Sequence, residues 1–450
     1  MLNKQQLIKV LILCCIALTD SLGYNLVVNV LPVLADPSDP LHFAGGDNLS
    51  SGSAYSVFQF TFCFGVAVFP LFIGRWSDLA GRRPLLLGSL TILTLGYYVQ
   101  SIAESFWTFA AARLVTGVSG CLRPLAIAYI VDMVGEDSLR SKLITSLSLL
   151  SAFAVGFGPA FGAHLLGIGR AFPFLFMTVI SSVCILLVFF FLPEVKKGKV
   201  ALSPPPSPRR GNCSKPNKLR WTYRYLLTLG FSTYFMSMAA ASAFPLSLKE
   251  DFKLDPFHAG LCSLADGPLI FLTNFFFMHY LTTLSSGCKA SILASASFGL
   301  IALVPYTVSS GTLIPFLALK YSTSIGGPIV FSAVAQTMMG VCPRNVCGSY
   351  AGLLTFFHGA GRLTATAIVG PLFHRNSTAV YNLVACTGLL SALVFILLHK
   401  DLLKTLGRLE LKTPLISRTE EDHFPAVSRT ISLMYPPTQN GGDVNVVPLE

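Results

Sequence analysis

The chain has 450 residues, of which 53% are apolar and only 12% carry a charge. Soluble domains carry about twice that charged fraction, so the composition excludes a soluble enzyme, a disordered protein and a disulfide scaffold. The formal net charge of +11 at pH 7 also occurs in nucleic-acid-binding proteins, so the positions of the basic residues decide what it means.

Apolar segments long enough to cross a bilayer recur along the chain, since a membrane helix needs about 20 predominantly apolar residues. Twelve such spans are predicted, over residues 10–34, 53–73, 85–103, 106–133, 143–168, 171–193, 225–247, 257–281, 290–308, 312–340, 346–372 and 379–399. Six precede and six follow one long polar segment. We therefore predict an all-α membrane protein of twelve transmembrane helices in two six-helix bundles, residues 1–193 and 225–400.

The basic residues are distributed unequally between the two sides of the predicted membrane. With the N-terminus inside, loops and tails on that side hold 24 of the 32 Lys and Arg, against 4 on the other side. This asymmetry follows the positive-inside rule and predicts that both termini are cytoplasmic. The basic excess then faces the anionic inner leaflet of the lipid bilayer, and no nucleic acid is expected as a partner.

Two polar segments lie outside the bundles. Residues 194–224 hold nine Lys and Arg against the single acid Glu194, and their Pro-rich run 204–208 cannot form a helix. This composition predicts a flexible cytoplasmic linker. Residues 401–450 are polar and are predicted to be a largely disordered cytoplasmic tail.

The two halves contain a short internal repeat. The sequence around Arg113 in span four recurs around Lys320 in span ten, 207 residues later, with the same spacing to a Thr and a Gly. Duplicated halves that bind a solute between them at mid-membrane are a transporter architecture. The repeat therefore favours a transporter with a central site lined by spans 1, 4, 7, 8, 10 and 11.

The turn between spans two and three, residues 74–84, reads GRWSDLAGRRP. It resembles the signature G-x-x-x-D-x-x-G-R-[RK] loop of the major facilitator superfamily, in which the acid and the arginine form a cytoplasmic latch. The resemblance implies that Asp78 faces the start of span eleven and that Arg82 pairs with Asp132, which holds an outward-facing state. The implied latch residues are Gly74, Asp78, Gly81, Arg82, Arg83 and Asp132.

Three further stretches resemble motifs of the twelve-span drug:proton antiporters and the tetracycline-efflux class. They are Asp20 followed by Leu31-Pro32 in span one, R-x-x-x-G-x-x-G from Arg113 in span four, and GP-x-x-G in span five with Gly158, Pro159 and Gly162. The resemblance implies transport by alternating access with proton coupling. Span nine holds no acid, whereas the tetracycline-efflux class has one there.

Charged groups inside a membrane cost about 2.5–3.5 kcal/mol on insertion scales, so each is a functional candidate. Asp20, near the centre of span one, and Asp266 in span eight are the candidates for proton coupling. The substrate-cavity candidates are Arg113, Arg123, Lys320, Arg362 and His358. Two acids against four Arg and Lys leave an excess of positive charge, which favours an anionic or zwitterionic solute.

The favoured function is transport of a small organic solute by proton-coupled antiport. One alternative is an uncoupled or symporting organic-anion carrier of an organelle or the plasma membrane. Another is a non-transporting membrane interaction protein that uses the tail 401–450. The sequence holds no nucleophile–base pair, phosphate loop or metal-ligand spacing, so neither enzymatic activity nor a cofactor nor a metal is expected.

Two features concern location and assembly. Asn48-Leu49-Ser50 follows span one on the predicted outside and is a candidate glycosylation acceptor. An acid ahead of Leu415-Ile416 stands one residue away from the spacing of a dileucine sorting signal, so the plasma membrane and an endolysosomal membrane both stay open. The family resemblance implies a monomer.

Overall fold

The computed structural model describes residues 4–46, 48–69, 81–134, 137–194, 216–280, 284–341 and 347–410. Within these ranges the regular secondary structure is helical, apart from one isolated bridge between Ala44 and Ser105. Nine helical stretches in the described part of the chain are long and apolar enough to cross a membrane. The predicted all-α membrane fold is confirmed.

The helices follow one another in two similar halves. The first half contains α1 (Lys4–Val28), α2 (Leu31–Leu34), α3 (Ser51–Val68), α4 (Arg82–Ile102), α5 (Phe106–Val118), α6 (Leu122–Met133), α7 (Asp137–Ile168) and α8 (Phe172–Phe191). The second contains α9 (Pro216–Glu250), α10 (Pro256–Leu261), α11 (Asp266–Tyr280), α12 (Leu284–Gly299), a 3₁₀ turn (Leu300–Leu303), α13 (Val304–Ser309), α14 (Leu313–Val341), α15 (Cys347–Arg375) and α16 (Ser377–Glu410).

The helix boundaries repeat at the offset found in the sequence. Helices α5 and α14 begin at positions 106 and 313, which are separated by the same offset as Arg113 and Lys320. Helices α7 and α15 end at positions 168 and 375, again at that offset. The internal repeat therefore extends well beyond the short stretch around Arg113 and Lys320, over spans four and five and over spans ten and eleven.

Spans four and eight are broken, whereas the sequence analysis predicted each as one continuous span. A turn separates α5 from α6, and a turn over residues 262–265 separates α10 from α11. Pro124 and Pro268 are each the third residue of the helix that follows the break. Proline lacks the N–H that would bond to the carbonyl four residues earlier and clashes with that carbonyl, so the helix restarts there.

The helices flanking the linker and the tail are longer than predicted. Helix α9 begins at Pro216, within the segment 194–224 that was expected to be linker, because proline fits the first turn of a helix. Helix α16 continues to Glu410, into the predicted tail, through residues rich in Leu and Lys that favour helix. The Pro-rich run 204–208 lies outside the described residues.

The two halves meet along α3 and α15, and where α7 packs on α10 and α11. Near the side predicted to face away from the cytoplasm, hereafter the outer side, the backbones of Gly52 and Gly370 leave no space for a Cβ on either residue. The Gly370 N–H donates to Ser56 Oγ at 2.9 Å across the same contact. Small residues let membrane helices approach closely, so this contact closes the outer side.

Replacing Gly370 with valine is expected to open the outer side, because the new side chain overlaps the Gly52 carbonyl. Overpacking of this kind costs about 1–3 kcal/mol, which shifts the closed-to-open equilibrium by about 5- to 150-fold. A cysteine introduced at the buried Asn29 reports the shift through its rate of labelling by a membrane-impermeant maleimide. Gly88→Val is the matched control, since a Cβ at Gly88 meets open space. Equal labelling rates in both variants would contradict the prediction.

Candidate functional site

The start of α4 and the end of α6 meet at the end of the N-terminal bundle that is predicted to face the cytoplasm. Arg82 Nε lies 2.9 Å from Asp132 Oδ2. Gly81 precedes α4 with φ 98°, a left-handed conformation that glycine adopts without strain. Gly74 and Asp78 of the expected latch lie outside the described residues. The approach of Arg82 to Asp132 that the resemblance implied is present, and its role as a latch stays a prediction.

Glu194 belongs to this end of the bundle, although the sequence analysis assigned it only to the linker. Its two carboxylate oxygens accept the backbone N–H groups of Arg82 at 2.9 Å and Arg83 at 3.1 Å. A carboxylate at a helix N-terminus satisfies otherwise unpaired N–H groups and favours the helix dipole. Arg83 Nη2 in turn donates to the Phe189 carbonyl at 2.5 Å. These contacts fasten the end of span six to the start of span three.

The two glycines of the glycine-proline motif in span five pack against span one. A Cβ on Gly162 would overlap the Leu26 carbonyl, and one on Gly158 would lie 2.9 Å from Asn25 Cβ. Pro159 lies inside α7 between them. The motif therefore permits close contact between α7 and α1, on which Asp20 is carried.

Asp20 lies between basic side chains of both bundles. It interacts electrostatically with Arg123 of α6 and with Arg362 of α15. All three side chains are half-buried, and Arg123 also donates to Ser148 Oγ at 3.1 Å. One carboxylate thus interacts electrostatically with a guanidinium of the N-terminal bundle and with one of the C-terminal bundle.

Arg113 is fully buried in α5. Its guanidinium carbon lies 4.5 Å from the centre of the Phe62 ring, and it interacts electrostatically with Tyr24, Tyr55 and Tyr97. Among the described residues, none of its three guanidinium nitrogens has a hydrogen-bond partner. A cation–π contact compensates only part of the hydration that a buried guanidinium loses, so this group retains unused capacity to bind an anion.

His358 packs among aromatic side chains of the C-terminal bundle. Its ring stacks on Tyr234 with centroids 4.4 Å apart and lies 5.1 Å from Phe331. Tyr234 also neighbours Arg362. In this structure His358 is a packing residue near Arg362.

The C-terminal bundle contains a buried ion pair. Lys320 of α14 bonds to one carboxylate oxygen of Asp266, and Ser324 donates to the other at 2.7 Å. Lys320 Nζ also lies 4.3 Å from the centre of the Phe244 ring. A candidate for proton coupling and a candidate for substrate binding are therefore partners of each other, which the sequence analysis did not foresee.

Because of this pairing, the unneutralised positive charge of the interior lies on the remaining arginines. Because Asp266 and Lys320 neutralise each other, the remaining charged candidates are Asp20 against Arg113, Arg123 and Arg362. One carboxylate and three guanidinium groups leave a formal charge of +2 between the bundles. A buried region with that charge attracts anions.

The outer side is closed by an ion pair in addition to the helix contact. Lys249 Nζ, at the end of α9, lies 2.8 Å from Asp36 Oδ2 and donates to the Pro32 carbonyl at 2.9 Å. Partial burial raises the pKa of the Asp36 carboxyl, but hydrogen bonds from Lys249 and Ser38 lower it by more, so its pKa lies below the ordinary value. A carboxyl with a lowered pKa contributes stability above its ordinary pKa and loses it only as the pH falls through the lowered value. The pair therefore persists at neutral and mildly acidic pH.

A cavity of about 260 Å³ adjoins this ion pair, lined in part by Asn29, Asp39, Lys249 and Lys253. Its charged side chains are of both signs. Asn48, the candidate glycosylation acceptor, is exposed on the same side.

Duplicated membrane-spanning halves with charged groups shared between them define a secondary transporter. Residues 13–366 match the sequence profile of the Major Facilitator Superfamily, and the chain belongs to this superfamily, whose members are transporters and not enzymes.

Relatives and solved structures agree with this assignment. The chain is 29% identical over 364 residues to the class C tetracycline resistance protein of Escherichia coli, covering 78% of this chain and 86% of the relative. A crystal structure of the human organic anion transporter MFSD10 (TETRAN) has a TM-score of 0.61 at 20% identity, covering 88% of this chain and 100% of the other. A D-xylose-proton symporter has a TM-score of 0.69 at 13% identity, covering 86% and 96%. The two structures establish similarity of fold.

The Asp266–Lys320 pair predicts a non-additive pair of substitutions. Asp266→Asn leaves Lys320 buried without its counter-ion, and breaking a buried pair in this way costs about 3–5 kcal/mol. Adding Lys320→Met removes the unpaired buried charge and is expected to restore most of the lost free energy of unfolding. The measurement is the unfolding free energy of both single variants and the double variant in detergent. A double variant as unstable as the sum of the singles would show that the two side chains do not interact.

Glu194→Gln is expected to loosen the start of α4, because the amide keeps only one good acceptor and loses the charge that favours the helix N-terminus. The free energy of unfolding is expected to fall by about 1 kcal/mol. Thermal unfolding of the full chain in detergent measures it, with Glu104→Gln in an exposed position between spans three and four as the control. An equal effect of both substitutions would argue against the capping role.

Proposed function

We propose that this protein transports a small organic anion across the membrane by alternating access, together with a proton. The observation that carries the proposal is the excess of positive charge in the interior, where Asp20 interacts with Arg123 and Arg362 and the buried Arg113 has no acidic partner among the described residues. An organic cation would enter this region against a formal charge of +2. An anion is attracted to it.

The fold by itself does not select the solute. A neighbour named as an organic anion transporter and one named as a sugar–proton symporter share the architecture, and the similar sequence of a tetracycline resistance protein adds a third kind of solute. The charged side chains of this chain therefore carry the inference about the solute, and the names of the two neighbours support an architecture that accommodates anions and proton symport.

The geometry around Asp20 favours symport over the antiport expected from the sequence. While ionised, the Asp20 carboxylate offsets part of the positive charge of Arg123 and Arg362 and so weakens the attraction of the region for an anionic solute. Protonation of Asp20 removes this offset, so a proton and an anion bind together. Release of the proton restores the offset and weakens the binding of the anion. A zwitterion whose ammonium pairs with Asp20 would instead compete with the proton and give antiport.

The same carboxylate links proton binding to bundle movement. Arg123 lies in the N-terminal bundle and Arg362 in the C-terminal bundle, so ionised Asp20 holds the two together through charge. Protonation weakens this connection and leaves the contacts between the bundles on the outer side, Gly52 with Gly370 and Asp36 with Lys249, to determine whether that side opens.

Proteoliposomes containing a pH-sensitive dye test the proposal. The panel consists of aryl and alkyl sulfonates, amino acids and quaternary amines, since sulfonates do not cross lipid as neutral acids. Symport predicts acidification of the interior when a sulfonate is added outside, antiport predicts alkalinisation, and an uncoupled carrier predicts tracer uptake without either. Absence of uptake of every solute would favour a non-transporting interaction protein.

Asp20→Asn is expected to abolish the proton movement driven by the sulfonate and to leave tracer uptake, because the two guanidinium groups are then permanently available. Glu104→Gln, which neutralises an exposed acid away from the cluster, is the control and is expected to behave as the unmodified protein. Unchanged proton movement in Asp20→Asn would exclude Asp20 as the coupling group.

A further inference from the structure

The internal repeat places a buried cation at the same position in each bundle, but only one of the two has an acidic partner at the repeated position. Lys320 corresponds to Arg113 in the repeat, and its partner Asp266 corresponds at the same offset to Gln59. The helices that carry them correspond as well, since span eight repeats span two and span ten repeats span four. An acid in one half is therefore matched by a neutral amide in the other.

Gln59 lies in the immediate surroundings of Arg113. It is 1% exposed, and its Nε2 donates to the Tyr55 hydroxyl at 3.1 Å. Tyr55 and Tyr24 are neighbours of both Gln59 and Arg113. Phe62, whose ring lies beneath the guanidinium, follows Gln59 by one helical turn on the same face of α3. Gln59 thus has the position in the repeat that Asp266 has and lies near Arg113, but its Oε1 and the three guanidinium nitrogens have no hydrogen-bond partner among the described residues.

We propose that Arg113 and Gln59 form the binding site for the carboxylate of the transported solute, with the solute supplying the group that Asp266 supplies to Lys320. The inference rests on the proposed anion transport and specifies its substrate class. A side-chain amide can donate its N–H to a carboxylate oxygen, whereas an acid at position 59 would repel the same ligand. The aromatic rings of Tyr24, Tyr55, Phe62 and Tyr97 around the guanidinium suit an aromatic or otherwise apolar body.

Movement of the bundles controls access to this site. Arg113 is fully buried in the present conformation. Tyr24 stacks on Phe62 with centroids 5.3 Å apart, and its hydroxyl contacts Met238 Sδ of the other bundle at 3.8 Å. Separation of the bundles removes the Met238 contact from Tyr24 and so frees Tyr24 to move away from Phe62, the ring that packs on the Arg113 guanidinium.

Gln59→Glu tests the assignment by installing in the N-terminal bundle the acid that the C-terminal bundle already has. The glutamate is expected to pair with Arg113, so that carboxylate binding weakens by about 10- to 100-fold, the range for loss of a charged hydrogen bond. The unfolding temperature of the variant is expected to equal or exceed that of the unmodified protein, because a buried charge gains a partner.

The ligand probes are benzoate, benzamide and benzamidine, which share one shape and carry charges of −1, 0 and +1. Binding is measured as the rise in unfolding temperature of the full chain in detergent, since a ligand bound to the folded state stabilises it. Benzoate alone is expected to raise that temperature in the unmodified protein, and the rise is expected to vanish in Gln59→Glu. Gln59→Met, which removes the amide without adding a charge, is expected to weaken benzoate binding by about 2- to 12-fold.

Retention of the full benzoate effect in Gln59→Glu would overturn the assignment. If that variant does not fold, Gln59→Met decides, and unchanged benzoate binding in it would overturn the assignment equally. Absence of a benzoate effect in the unmodified protein would also overturn it. Anion transport is tested separately by sulfonate uptake into proteoliposomes. Failure of the proposed carboxylate site and failure of the proposed transport are therefore distinguished by different measurements.

Discussion

A positive charge inside a bilayer is tolerated only where an opposite charge, an aromatic ring or a hydrogen-bond acceptor replaces the water it has lost, and this requirement arranges the interior of the protein. Lys320 satisfies it through Asp266, Ser324 and the Phe244 ring. Arg123 and Arg362 share Asp20. Arg113 has mainly aromatic neighbours. These cations differ in how much of their lost hydration the protein replaces. The proposed function follows from this difference, because the cations with the fewest protein partners are those best able to bind an anion.

The sequence predicted the features that depend on composition and on patterns along one chain. Apolar length indicated the helical spans, and the family signature implied the approach of Arg82 to Asp132, which lie 2.9 Å apart. The roles of these residues stay predictions. The breaks in spans four and eight were not predicted. Pro124 and Pro268 lie next to them, but the span boundaries were predicted from hydropathy, which does not register the effect of a proline on the helix.

Other contacts could not be predicted from the sequence. Which face of a helix a residue occupies, relative to another helix, depends on packing that hydropathy does not record, so Asp266 and Lys320 were assigned separate roles. Glu194 caps a helix that begins 112 residues earlier in the chain, and capping signals are recognisable only when they are local. The correspondence of Gln59 with Asp266 was available from the offset of the internal repeat, but it acquired meaning only once Asp266 had a partner.

The fastening of Glu194 to α4 also determines where the connection between the bundles starts. Span six is held to the N-terminal bundle up to Glu194, and α9 begins at Pro216, so the segment 195–215 joins the two fixed points. An extended chain of that length reaches about 70 Å at about 3.3 Å per residue. The number of residues in this segment alone therefore sets no limit on the proposed movement of the bundles. The described features that oppose the movement are helix contacts such as that between Gly52 and Gly370.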